Sequence, residues 1–514
     1  MKKELPEIRE LNGIPTLYVD GKPFFALGGE LHNSSVSSND YMDKNVWPNL
    51  LGLNMNTVVA PVYWEMLEKE EGVFDFSIVE HLLKRAREYD MHVVILWFGL
   101  WKNSESNYIP GWMKRDRERY YVVRKDTGEP LNIISALCEE AVEKDAYAFS
   151  QLMKYLREED GDESTVIAMQ IENEIGILGS ARDYGKRANE LFEAAVPADM
   201  AQRFNVSGTW KEAFGADAEE YFMAYHYASA IEKITAAGRE EYPIPCYANV
   251  WLRQFPWYAG SYPSGGPVRE VHDIWKLKAP SLFTIGPDIY VAYAPFVMDE
   301  YHYEGNPLFI PEIRKDASSA SYCLYAFGQH NALCFSPFGI EDLKADKESM
   351  PGPDPSVLAE LNIDPAAFDT TGTDIYLSQA YGFMNDIMPL YLQYRGTDHF
   401  KWYLKKAETE RGEYFRFEKF DLLVSYFRPQ PHKPAPAGFI FELAPDRFLI
   451  CGMMSRIKFF AKEGGGKKAG FINIEEGSFV NGQWTPGRIM NGDERMDVSF
   501  GGDIRCFMAE LGEY

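Results

Sequence analysis

The sequence predicts an α/β protein, a (β/α)8 TIM barrel followed by a C-terminal antiparallel β-sandwich domain. Three observations carry that prediction. Short apolar runs of strand length alternate with helical stretches between residues 24 and 338, and such alternation implies a parallel sheet clothed in helices. Polar and acidic residues gather at the C-terminal ends of those runs, where barrels of this kind carry their sites. After about residue 400 the texture changes to short strands set between Gly, Pro and Asp turns, as in a sandwich. A chain of 514 residues is also too long for one hydrophobic core. The reading divides it into a barrel with a short N-terminal β preface over 1–395 and a sandwich over 396–514. A doubly wound open sheet is the alternative. It would carry a glycine-rich turn after an early strand, and Gly28-Gly29 alone is a poor match to one.

Each element has its own signal. Residues 8–23 read as the β preface, with an Asp-Gly turn at Asp20-Gly21. Phe24–Gly29 is the first barrel strand, ending in glycines before the polar cluster Glu30, His32 and Asn33. Tyr41–Gly52 is helical in pattern, Met55–Val62 is strand two, and Phe76–Tyr89 is an amphipathic helix with Ile78, Val79, Leu82, Leu83 and Ala86 on one face. His92–Phe98 is strand three, followed by a loop holding Trp101, Lys102, Asn103 and Trp112. A helix over Ala141–Leu156 leads to Thr165–Gly176, strand four, an apolar run that ends in Gln170, Glu172, Asn173 and Glu174. A helix over Tyr221–Ala237 precedes strand five, Ile244–Trp251. Strands six, seven and eight fall at Ile285–Tyr293, Pro307–Glu312 and Ala332–Phe338. Pro311 lacks an N–H donor, which suits a strand end and so supports placing Glu312 there. Glu341–Gly372 reads as a connecting loop and Ile375–Leu392 as the last barrel helix. Gly464-Gly465-Gly466-Lys467-Lys468 reads as a hairpin tip, since no strand and helix flank it as in a phosphate loop.

Composition narrows the function. The chain carries a net charge of −25, which repels phosphate backbones and anionic membranes, so nucleic acid and membrane are poor partners and a neutral substrate fits best. Aromatic residues make up 15% of the chain; they stack on sugar faces but also fill cores. The six cysteines form no CxxC pair and read as buried free thiols of a reducing compartment. The segment Met1-Lys2-Lys3-Glu4-Leu5-Pro6-Glu7 lacks the apolar core of a signal peptide, so a cytoplasmic location is expected. The nine histidines are scattered, with no HExxH, so neither a metal nor a cofactor is expected. A homo-oligomer is left open.

The residues at the strand ends are the candidates for chemistry. Tyr63, Trp64 and Glu65 follow strand two, and Trp101, Lys102 and Asn103 follow strand three. Asn173 and Glu174 end strand four, Asn249 and Trp251 strand five, Tyr290 or Tyr293 strand six, and Glu312 and Arg314 strand seven. Carboxylates on strands four and seven would face each other across the barrel mouth, as glycoside hydrolysis requires. In a retaining enzyme one is acid/base and the other nucleophile, about 5–5.5 Å apart. The acid must keep its proton near neutral pH, and burial and the second carboxylate both raise its pKa. Arg314 or a tyrosine hydroxyl could keep the nucleophile ionised. A lone buried Glu is more often salt-bridged structure, and Glu172, one step deeper on the face of Glu174 by strand alternation, reads that way. His32 could touch substrate or serve a structural hydrogen bond. Trp101, Trp112 and Trp257 could be sugar platforms or loop packing.

The segment Gln170-Ile171-Glu172-Asn173-Glu174-Ile175-Gly176 resembles the acid/base motif of family 35 β-galactosidases, within a clan of (β/α)8 retaining glycosidases. The resemblance implies that Glu174 is the acid/base, that Asn173 meets the sugar 2-hydroxyl, and that Glu312 in Phe309-Ile310-Pro311-Glu312-Ile313-Arg314 is the nucleophile. The run Asn54-Met55-Asn56-Thr57-Val58, with Pro61–Glu68 and Glu71–Phe76, is similar to the strand-two region of families 35 and 42. The likeness covers residues 10–400 and the tail more loosely. It departs after strand three, where the family carries an Arg-Pro-Gly-Pro-Tyr type segment with a sugar-binding glutamate and this chain reads Leu96-Trp97-Phe98-Gly99-Leu100-Trp101-Lys102-Asn103. Lys102 and Asn103 stand where the galactose contacts would be. The implied function is a retaining exo-acting β-glycosidase, a β-galactosidase first, acting on a neutral oligosaccharide or glycoside without a cofactor. A transglycosylase, a β-glucosidase-type enzyme and a catalytically silent carbohydrate-binding protein are the alternatives.

Overall fold

The computed structural model describes residues 3–345, 355–462, 467–480, 482–496 and 498–514. Its centre is a parallel barrel of β1 (Ala26–Leu27), β2 (Thr57–Tyr63), β3 (His92–Lys102), β4 (Val166–Asn173), β5 (Cys246–Trp251), β6 (Thr284–Ile289), β7 (Phe309–Ile313) and β8 (Cys334–Pro337). The sheet runs β1-β8-β7-β6-β5-β4-β3-β2. It closes between β1 and β2: Val59 N–H donates to Gly29 O at 2.9 Å, and Leu31 N–H to Val59 O at 2.9 Å. Asn56 fastens the seam, accepting from Leu27 N–H and donating to Phe25 O, both at 2.9 Å. Every residue of β2, β4, β6, β7 and β8 is buried, as expected of strands covered on both faces.

Helices fill the outer layer: α1 (Ser77–Glu88), α2 (Glu139–Asp160), α3 (Ala218–Glu241), α4 (Ser319–His330) and α5 (Thr373–Tyr394) are the main ones. On α1 the buried residues are Val79, Leu82, Leu83 and Ala86, a spacing of three and four that puts one stripe on the barrel. Burying each such leucine stabilises by roughly 1.5–3 kcal/mol. An antiparallel sheet of Glu7–Leu11, Ile14–Val19 and Lys22–Phe24 precedes the barrel.

After α5 the chain enters two antiparallel sheets. Their strands are β9 (Phe400–Leu404), β10 (Gly412–Arg416), β11 (Phe420–Tyr426), β12 (Ala437–Ala444), β13 (Arg447–Met453), β14 (Ser455–Ala461), β15 (Ala469–Val480), β16 (Gln483–Ile489), β17 (Val498–Phe500) and β18 (Arg505–Glu513). The six-stranded sheet, β9-β12-β13-β18-β15-β16, lies between the barrel and the four-stranded sheet β10-β11-β14-β17. Alternation on β12 shows why: Phe439 and Phe441 pack into the barrel's core, and Ile440 packs into the sandwich's own. Gly328 of α4 permits the close approach, because a Cβ there would lie 2.8 Å from Trp402 Cβ. All six cysteines are buried and free of disulfides, and no described helix is long and apolar enough to cross a membrane.

The structure revises three sequence readings. The helix expected over Tyr41–Gly52 is a string of short turns, Asn39–Tyr41, a π-turn at Met42–Val46, and Trp47–Leu50. Pro48 has no N–H to offer the preceding turn, and Trp47 N–H reaches back to Met42 O. Strand β3 runs on to Lys102, so Trp101 and Lys102 belong to a strand and not to a loop. The segment Glu341–Gly372 is no plain connection: it holds 3-10 turns at Ile340–Leu343 and Pro365–Phe368 and a helix at Pro355–Glu360. The glycines of the expected hairpin tip at 464–466 lie outside the described residues.

Candidate active site

A cavity of about 250 Å³ opens at the C-terminal ends of the barrel strands. Lys102 and Asn103 enter it from β3, Glu174 from β4, Trp251, Leu252 and Gln254 from β5, Asp288 and Tyr290 from β6, and Glu312 from β7. Leu361, Ile363 and Phe368 form its outer wall.

Glu174 and Glu312 share this space but not the same surroundings. Burial and then the nearby Glu312 charge push the Glu174 carboxyl up to about 7; Lys102 and a hydrogen bond with Asp288 oppose them. Burial also raises Glu312, against Lys102 and against hydrogen bonds from the Tyr290 hydroxyl and Glu30. The Tyr290 contact to Glu312 Oε1 is short, and Tyr290 is itself held by a stacked Phe368 ring 5.3 Å away. Asn249 accepts from Glu174 N–H at 2.9 Å and donates to Asp288 Oδ2 at 2.7 Å, linking β4, β5 and β6. Lys102 Nζ donates to Asn173 Oδ1 at 2.8 Å and to Asn103 Oδ1 at 2.5 Å. The arrangement offers one carboxyl that keeps its proton to near neutral pH and a second with donors stabilising its charge.

The backbone is strained here. Glu172 and Glu174 adopt φ of 60° and 46°, conformations that cost a non-glycine residue of order 1–3 kcal/mol and cluster at functional sites. The first of these breaks the strand alternation. Glu172 therefore does not share the face of Glu174. Its carboxyl turns to β3 and accepts from the backbone N–H groups of Gly99, Leu100 and Trp101 at 3.2, 2.9 and 2.7 Å. Beside it Asp145 of α2 accepts from Trp97 Nε1 at 2.7 Å and Leu100 N–H at 3.0 Å. These donors are free because β3 bulges: Trp97 pairs with Ile171 and Lys102 with Asn173, so five steps on β3 (102 − 97) face two on β4 (173 − 171). Gly99 is required, since a Cβ there would lie 2.6 Å from oxygens of both Asp145 and Glu172. The bulge delivers Lys102 and Asn103 to the cavity, and the Glu172–Asp145 pair holds the bulge.

The structure brings together Glu174, Glu312, Lys102, Asn103, Trp251 and Tyr290 among the residues singled out from sequence. Asn173 lies just behind them, fully buried, bound through Lys102 and with its Nδ2 unpartnered. Five others stand elsewhere. Tyr63 is buried and stacks on Tyr108. Glu65 turns outward to Lys114 at 2.6 Å. Trp101 is core: it donates from Nε1 to Ile134 O at 2.9 Å and packs edge-on against Tyr227. Arg314 is not the group at the nucleophile; it pairs with Asp316 and with Asp364 at 2.5 and 2.8 Å and ties down the segment that walls the cavity. His32 pairs with Asp342 at 2.9 Å. Burial opposes its charge, but the hydrogen bond to Asp342 and the carboxylates of Glu341 and Asp342 outweigh burial and raise its pKa. Of the other tryptophans, Trp112 donates to Glu68 O and packs on Trp64 and Tyr120, and Trp257 packs against the core. Sequence reasoning missed Asp288, whose only signal was its place in a strand otherwise apolar, and passed over Glu30 and Asn33 in favour of their neighbour His32.

Residues 16–250 match the family model "Glycosyl hydrolases family 35", and residues 377–500 match a domain of unknown function, DUF5597. A human protein, β-galactosidase-1-like protein 3, is 28% identical over 177 residues, which are 34% of this chain and 25% of that one. The chain thus spans about a quarter of the length of the curated relative that it matches. Among solved structures, a β-galactosidase from Bacillus circulans sp. alkalophilus superposes with a TM-score of 0.49 at 8% identity, covering 94% of this chain and 99% of that one. A β-galactosidase from Rahnella sp. R3 does so with 0.45 at 16%, covering 61% and 50%. Over residues 16–250, which hold the first four barrel strands and most of the fifth, this chain is similar in sequence to the glycosyl hydrolases of family 35.

Proposed function

We propose that the protein is a retaining, exo-acting β-glycosidase, a β-galactosidase first. The observation that carries the reading is the unequal pair in one cavity: Glu174 pushed up to about 7, and Glu312 supplied with donors that favour its charge. In the first step a Glu312 oxygen attacks the anomeric carbon while Glu174 gives its proton to the glycosidic oxygen, and the bond to the leaving group breaks. In the second, Glu174, now ionised, takes a proton from water as the water oxygen attacks the same carbon. The glycosyl ester opens and Glu312 returns as carboxylate. Ionised Glu312 favours the proton on Glu174; once Glu312 is esterified that charge is gone, and Glu174 is the better base.

The cavity supports an exo mode. It lies below the ~300–1,000 Å³ of ordinary small-molecule sites, which suits a terminal sugar. Asn173 Nδ2 is buried without a partner, a costly state that a sugar hydroxyl would relieve. Galactose is supported by the human relative's name and by the family match, and Lys102 and Asn103 are the residues that select it. The test is a panel of aryl β-glycosides on wild type, Glu174→Ala and Glu312→Ala. Both variants should lose hydrolysis, and azide should rescue Glu312→Ala by forming a glycosyl azide of inverted configuration. Undiminished hydrolysis in both would end the proposal.

A further inference from the structure

Glu30 stands at the seam of the barrel. It is 1% exposed, and its backbone is fixed on two sides: its N–H donates to Pro337 O at 2.9 Å and its carbonyl accepts from Ile340 N–H at 3.0 Å. Those bonds leave the side chain out, so the seam does not require a carboxyl here. The carboxyl instead meets the carboxyl of Glu312 in a hydrogen bond, and its Oε1 has no protein donor. Two carboxylates cannot bond face to face without a proton between them, and one of the pair must therefore carry it.

The surroundings decide which. Facing Glu30 are Glu312, Glu174 and Glu341, which disfavour its charge, and one cation, Lys102. Asp288, Tyr290, Tyr247 and Cys334 complete the shell from β6, β5 and β8, and none of them is a cation. Two of the three Lys102 Nζ donors go to Asn173 and Asn103. Glu312, by contrast, already accepts from Tyr290. These contacts favour the proton on Glu30.

We infer that Glu30 is a positioning residue for the reaction, its neutral carboxylic acid donating a hydrogen bond to Glu312 that aims this carboxylate and keeps it ionised. The inference rests on Glu312 being the nucleophile. A donor to the charged form lowers the pKa of an acid, so losing the donor raises the pKa of Glu312. Glu312 must be ionised to attack, and the acidic limb of the pH profile reports it.

The test compares Glu30→Gln and Glu30→Leu in the full-length chain, with kcat and KM for an aryl β-galactoside measured across pH and with melting temperature as a check on folding. Gln keeps a donor and, like the acid, is neutral. It should retain kcat within about tenfold and leave the acidic limb in place. Leu removes the donor; it should lower kcat at least tenfold, leave KM little changed and move the acidic limb up by about one pH unit. An acidic limb in Glu30→Leu equal to wild type overturns the inference, as does a loss in Glu30→Gln greater than tenfold. If Glu30→Leu does not fold, Glu30→Gln decides alone by the same criterion. Azide rescue of Glu312→Ala runs in parallel. Its failure removes the assignment of Glu312 itself, whereas rescue with unmoved limbs in the Glu30 variants removes only the role of Glu30.

Discussion

Two pairs of buried acids begin two residues apart on one strand. Glu172 with Asp145 lies behind β4, and Glu174 with Glu312 lies in front of it. Burial raises all four carboxyls above their ordinary range. Perturbation alone therefore does not separate chemistry from architecture. What separates them is saturation. The rear pair accepts from three backbone N–H groups and an indole, with Leu100 N–H shared by both, and both of its carboxyls are fully buried. The front pair has few protein donors and an open side. The left-handed φ at Glu172 and Glu174 is what sends neighbouring glutamates to such different places.

The contrast breaks most sharply under alanine. Glu174→Ala should lower kcat/KM by roughly 10²–10⁴-fold, the usual worth of general acid–base catalysis, and Glu312→Ala by at least as much, both with melting temperatures near wild type. Glu172→Ala should do the reverse. It strands the Gly99 and Trp101 N–H donors, while Leu100 keeps Asp145, at a cost of about 1–3 kcal/mol for each stranded donor, readable as a fall in denaturation midpoint. An unchanged midpoint with lost activity would merge the two pairs into one site.

Titration sharpens the same line. Glu174 is raised from 4.5 to about 7, so the folded state binds the extra proton and stability declines as pH climbs from about 4.5 to 7. Activity should fall above about pH 7 as the acid ionises. With a leaving group that needs no proton, Glu174→Gln should lose that alkaline limb in single-turnover glycosylation, and thermal melts of this variant should decline less steeply between pH 4.5 and 7.

The barrel was legible because its signals are local: each strand is an apolar run, and each helix has its stripe. The placing of Glu174 and Glu312 at the barrel mouth was legible because a strand end has a fixed address in this fold. The turn of Glu172 away from the mouth was not, since alternation assumes β backbone and the positive φ appears only when β3 and β4 pair. The bulge over residues 97–102 was hidden for the same reason; its partners, Asp145 and Glu172, are 27 residues apart (172 − 145) on different elements. Arg314 and Glu65 look like site residues by position alone, and only side-chain direction shows them turned to Asp364 and Lys114. Asp288 and Glu30 matter through neighbours far along the chain.

Two smaller changes test the border of the site. Tyr290→Phe removes a donor to Glu312, so it should raise the pKa of that group and shift the acidic limb of kcat/KM upward, with kcat down roughly tenfold. Glu65→Ala should do almost nothing to turnover. Glu65 sits just past the end of β2, where sequence position alone favours a substrate contact, yet its carboxylate meets Lys114 with both side chains more than a third exposed. Such a surface pair is worth about 0–1 kcal/mol, and water replaces its bonds. Steady-state kinetics on an aryl β-galactoside should give kcat and KM within about twofold of wild type, alongside a small drop in melting temperature. A rise in KM beyond that would move the site's edge out past β2, and would mean that substrate, not Lys114, is the partner Glu65 keeps during turnover.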